Sequence, residues 1–162
     1  MLKEEINKLL QSEGDKIIAE IRALMASTGA NASGKTSRSL EGKISITKSN
    51  IQYTLTGGGA FDFVEVGRGK TKKSGRGAVR KAIKKWIEDK GITPDDGMSK
   101  DTLAFLITRA IHQRGTLLNL LGEIRRIQSA VLTEKRILNV ANGVASIAAK
   151  DAEQQITSAF KI

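Results

Sequence analysis

Residues Gly29-Ala30-Asn31-Ala32-Ser33-Gly34-Lys35-Thr36 satisfy, letter for letter, the G-x-x-x-x-G-K-[ST] pattern of loops that cradle nucleotide phosphates. That chemistry needs a buried strand feeding the loop and a helix leaving directly after Lys-Thr, so that backbone N–H groups converge on the phosphates. Here the preceding residues have the spacing of an amphipathic helix, and Ser37 to Thr47 heads into a strand. No apolar strand ending in Asp follows to hold magnesium. The segment therefore reads as a flexible connector, with Lys35 doing no chemistry.

The second candidate is cationic. Arg68, Lys70, Lys72, Lys73, Arg76, Arg80, Lys81, Lys84 and Lys85 follow one another with no acid until Glu88. Interspersed glycines and a serine suit a loop that contacts phosphates. The stretch lacks interleaved aromatics for stacking bases, which argues against sequence-specific single-strand recognition. It serves equally well as a positive face for an acidic protein neighbour.

The remaining chemistry-bearing residues point away from catalysis. His112 is the only histidine and cysteine is absent, so neither a zinc cluster nor a Ser-His-Asp set can be assembled; His112 is expected on a helix surface. Asp95, Asp96 and Asp101 are spaced too loosely for a calcium loop and suit helix capping. Asp62 and Glu65, in an extended strand, would point to opposite faces and form no carboxylate pair. No enzyme activity, metal or cofactor is expected.

These residues must be positioned by a chain of 162 residues, 40% hydrophobic but only 4% aromatic, with a net charge of +10. Such a core has to be built from Leu, Ile, Val and Ala. No run approaches the roughly 18 apolar residues of a membrane span, and the acidic, amphipathic start lacks the apolar run of a secretory signal.

Ile6, Leu10, Ile17, Ile21 and Leu24 recur at helical spacing and predict a helix over 2–27, weakened at Gly14. A loop over 28–39 comes next. Lys43 to Thr47 and Ile51 to Thr56 alternate as a hairpin turning at Ser49-Asn50, ended by Gly57-Gly58-Gly59; Phe61 to Val66 reads as a third strand. Ala78 to Lys90 predicts a helix with Val79, Ile83, Trp86 and Ile87 inward, stopped by Gly91. Ser99 caps a helix to about Gln113, with Leu103, Leu106, Ile107, Ala110 and Ile111 inward, and Gly115 closes it. Residues 117–131 are ambiguous. Thr133-Glu134 opens a last helix to about Phe160, carrying Ile137, Val140, Val144, Ile147 and Ala148 on one side. The fold class is α+β: a small antiparallel sheet, hairpin plus a third strand, packed with amphipathic helices and with long helices at both ends.

In this order the parts resemble a known family. Phe63-Val64-Glu65-Val66-Gly67 is similar to the aromatic, then valine-glutamate-x-glycine signature of the tail-completion and head–tail joining proteins of tailed bacteriophages. In that family a helix, a small-residue loop and a hairpin precede the signature, as residues 2–56 do here. Ala82 to Ile92 and Leu103 to Thr116, the latter ending in arginine-glycine-threonine, resemble the helices that follow it. Gly75-Arg76-Gly77 stands where proline is common. The likeness covers residues 1–120, which implies a tail-completion-like domain there and a mostly helical extension over 121–162.

The resemblance implies a virion structural protein, repeated as a ring in the neck between portal and tail and surrounding the DNA channel. Its expected partners are further copies of itself, portal and tail proteins and, without sequence preference, the genome; no membrane is involved. The alternative is a basic DNA-binding protein without enzymatic activity that grips phosphates through residues 68–85.

Overall fold

The computed structural model describes residues 2–47, 50–71, 77–95 and 97–160. In chain order these form α1 (Leu2–Ser27), α2 (Lys35–Arg38), β1 (Glu41–Ile46), β2 (Ile51–Thr56), a 3-10 turn (Phe61–Phe63), α3 (Ala78–Asp89), α4 (Lys100–Arg114), α5 (Leu117–Leu120), α6 (Gln128–Val131) and α7 (Glu134–Ala159). The fold is α+β, with long helices at both ends. Its contacts define two compact units: Met1–Leu24 with Ser39–Thr56 and Ile127–Ile162, and Met25–Arg38 with Gly57–Arg126. This differs from the division into 1–120 and 121–162 expected from the sequence, because α7 belongs with α1 and the hairpin.

In the first unit, α1 buries Ile6, Leu10, Ile17, Ile18 and Ile21, a stripe wide enough for both a sheet and a neighbouring segment. Strands β1 and β2 pair antiparallel from Glu41 opposite Thr56 to Ile46 opposite Ile51. The half-buried residues Ile44, Ile46, Tyr53 and Leu55 alternate with exposed ones, as a sheet with one wet face requires. Leu40, Ile127 and Val131 complete this core. Thr133 caps α7 by accepting from the Arg136 N–H. Arg136 then reaches α1, 2.6 Å from Glu20 and 3.6 Å from Glu13. The Glu13 carboxyl is held below its ordinary pKa by its hydrogen bond to Lys16 and, beyond that, by the Arg136 charge.

Gly14, which weakens α1 by propensity alone, is explained by Tyr53. A Cβ at Gly14 would overlap the Tyr53 ring, and so would one at Gly42 in β1. The ring lies in a slot between two residues without side chains. Its hydroxyl is enclosed without a hydrogen-bond partner, and burial, assisted by the Asp15 charge, pushes its pKa up. Gly14→Ala gains about 1 kcal/mol of helix propensity but forces overpacking that costs about 1–3 kcal/mol. A net loss is expected, read as a lower denaturant midpoint at unchanged slope and recovered by adding Tyr53→Leu. A single variant as stable as the parent would show that the ring swings aside freely.

The second unit departs from expectation at Phe61 to Val66. These residues do not form a third strand; the sheet has two strands among the described residues. Phe61 N–H donates to Gly58 O, Phe63 to Ala60 and Val64 to Phe61, and Gly67 then donates to Phe63 O. The glycines before Phe61 let the chain coil, so its apolar residues bury at a turn's spacing: Phe61 and Val64 are buried, whereas Phe63 is exposed.

Helices α3 and α4 pack on each other. Ser99 caps α4 through the Thr102 N–H, and Gly91 closes α3 at φ 65°. In α4 the buried residues are Ala104 and Ile111, with Leu106 left exposed. Residues 117–131 resolve into two single-turn helices joined by exposed chain, with Ile127 and Val131 anchoring the second.

Candidate functional site

The two short signatures at Gly67-Arg68-Gly69 and Gly115-Thr116, 48 residues apart, meet in the second unit. The Arg68 N–H donates to Thr116 Oγ1 at 2.9 Å, and the Thr116 N–H donates to Arg68 O at 2.8 Å. The Thr71 N–H donates to His112 O at 3.2 Å, and the Thr71 hydroxyl is hydrogen-bonded to His112 Nδ1. His112 is thus half-buried and ties down a loop, where a helix-surface residue was expected. Gly67, at φ 71°, and Gly115, at φ 91°, allow the two backbones to approach: a Cβ at Gly67 would meet Asn119 N at 2.9 Å, and one at Gly115 would meet Arg68 O at 2.8 Å. The entry stem of the basic loop is therefore pinned to the end of α4. Its exit is Gly77, at φ 76°, from which α3 begins.

Of the cationic residues, Lys72, Lys73 and Arg76 lie outside the described residues, as does Asp96. Arg68 stacks over the Phe63 ring, 5.8 Å from its centroid. Arg80 pairs with Asp101 and sits over Phe105, 5.5 Å from that centroid. Lys84 lies 3.6 Å from Asp101 and Lys85 3.1 Å from Asp89. Asp101, expected to serve as a cap, instead ties α3 to α4. Lys70 and Lys81 are exposed and make no ion pair among the described residues.

The Gly29–Thr36 segment also differs from expectation. A helix does leave directly after Gly34, although it is only the four residues Lys35–Arg38. Gly34 takes φ 74°, and the Arg38 guanidinium folds back over it to donate to Ser33 O at 3.0 Å. Lys90 Nζ reaches Gly29 O at 3.2 Å. Between this loop and α3 opens a cavity of about 710 Å³, lined by Lys35, Lys81, Lys84, Lys85, Trp86 and several alanines. The sequence places Trp86 in the core. In the structure Ile87 is fully buried and Trp86 is 39% exposed.

No family model, curated protein or solved structure matches this chain. Asp62 is exposed and Glu65 half-buried in the turn that replaces the expected strand, and Glu65 serves through its carbonyl, which accepts from Arg125 N–H at 3.0 Å. No group of three metal-ligating side chains gathers among the described residues, and no helix there is long and apolar enough to cross a membrane.

Proposed function

We propose that this chain is a structural subunit of a tailed-bacteriophage virion, forming a ring in the neck that joins the portal to the tail and surrounds the DNA channel. The observation that carries this reading is α7. It is a 26-residue helix in which no residue is fully buried. Ile137, Leu138, Ile156 and Phe160 stand more than half exposed. An isolated subunit gains little from ordering such a helix, whereas a neighbouring copy that covers it would contribute the missing burial. In the other unit, Leu117, Leu120, Leu121 and Ile124 are likewise exposed. The two-stranded sheet adds free edges on which a further strand can pair. The signature residues Gly67, Gly115 and Thr116 act in this reading as the brace that presents the basic loop. The subunit works by assembly and needs no reaction of its own.

Native mass spectrometry of the purified protein, across concentration and with and without duplex DNA, tests it. The expected result is a closed oligomer of one stoichiometry that forms without DNA. The alternative, a DNA-binding protein gripping phosphates through 68–85, is favoured by the exposed Lys70 and Lys81. It predicts a monomer at every concentration that binds duplex tightly with a steep salt dependence, and that outcome would replace the ring.

A further inference from the structure

We infer that the cavity between the Gly29–Thr36 loop and α3 is a binding site for a nucleotide unit, either a free nucleotide or one residue of a single strand. The cavity's volume of about 710 Å³ falls within the range of small-molecule pockets. Its chemistry is divided in the way such a ligand requires. Ala30, Ala32, Ala78 and Ala82 supply short apolar walls that leave room for a flat ring. Trp86, the only tryptophan in the chain, presents an indole that is 39% exposed, and a half-exposed indole on a cavity wall is suited to stacking on a base.

The rim is cationic, with four lysines against the two carboxylates Glu88 and Asp89. The lysines are not equivalent. Lys84 is occupied by Asp101 and Lys85 by Asp89. Lys35 and Lys81 are exposed and have no acidic partner among the described residues, so these two are free to take a phosphate. They come from opposite sides of the cavity, one from the loop and one from α3, so a phosphate held by both would span its mouth. Glu88 adds an acceptor suited to a sugar hydroxyl or an exocyclic amine. The site therefore favours a ligand with an aromatic face, polar edges and a phosphate over a bare anion. It is independent of ring assembly, which mass spectrometry reads separately.

The emission of Trp86 reports binding in the full-length protein without a label. Three probes are titrated: adenosine monophosphate, inorganic phosphate and an oligothymidylate. Saturable quenching is expected with the nucleotide, the oligonucleotide or both, weakening as salt rises. Quenching by the mononucleotide alone assigns a free nucleotide; tighter quenching by the oligonucleotide assigns a strand. Lys35→Gln and Lys81→Gln should each weaken binding by about tenfold, and Lys35→Arg should restore it. Because both side chains are exposed, unchanged thermal midpoints should accompany these losses. Three results would overturn the inference: no saturable response to either nucleotide probe, inorganic phosphate binding as tightly as the mononucleotide, or full binding by the folded double variant.

Discussion

Gly115→Ala is expected to destabilise the protein by about 3–5 kcal/mol, combining backbone strain, overlap and a broken hydrogen bond. Gly115 sits at φ 91° and ψ −176°, a region essentially closed to residues with a Cβ. An added methyl would stand 2.8 Å from Arg68 O, the acceptor of the Thr116 N–H, and 3.1 Å from Asn119 Oδ1. Relief in either direction breaks the brace between the loop stem and the end of α4. The midpoint of denaturant unfolding should fall accordingly, and proteolytic cleavage within 67–77 should quicken because the stem is released. Gly59→Ala is the control: its Cβ would meet nothing within 4 Å, so it should lie within about 0.5 kcal/mol of the parent. A Gly115→Ala variant as stable as that control would show that the brace adapts.

The second large effect concerns neighbouring residues on α3. Ile87→Ala should cost about 2–5 kcal/mol, because Ile87 is completely buried and its truncation leaves a cavity. Trp86→Ala should cost only about 1 kcal/mol, despite removing many more atoms, because its indole is 39% exposed. Size alone predicts the opposite order. Thermal and denaturant unfolding of the two variants decide between them. A larger loss for Trp86 would mean that its ring is covered in solution, as by a second copy of the chain.

Much of the local structure was legible in the sequence because it depends on local causes. The 3.6-residue recurrence of Ile6, Leu10, Ile17 and Ile21 set α1. The side chains of Ser99 and Thr133 satisfy N–H groups three residues ahead of them, so α4 and α7 start where the sequence placed them. Alternation over 43–47 and 51–56 set the hairpin. The candidate site was half legible: charge density marked Arg80, Lys81, Lys84 and Lys85. It gave no means of separating lysines held by Asp89 and Asp101 from Lys81, which is free. Neither did it show that Lys35 faces the same cavity.

What the sequence determined by itself is the class of protein: α+β, cationic, built on an aliphatic core, with helix starts and hairpin strands fixed by caps and periodicity. Those properties arise from interactions spanning a few residues. Only the tertiary structure decided matters that depend on contacts between distant residues. Phe61 to Val66 coils instead of extending, because its burial partners are satisfied at a turn's spacing and three glycines let it bend. Trp86 faces a cavity while Ile87 takes the core, since a stripe of four apolar residues on α3 is broader than the surface α4 covers. Gly14 and Gly115 look like weak points in a helix and a terminus. Each is required by a group far away in sequence, the Tyr53 ring in one case and the Arg68 carbonyl in the other.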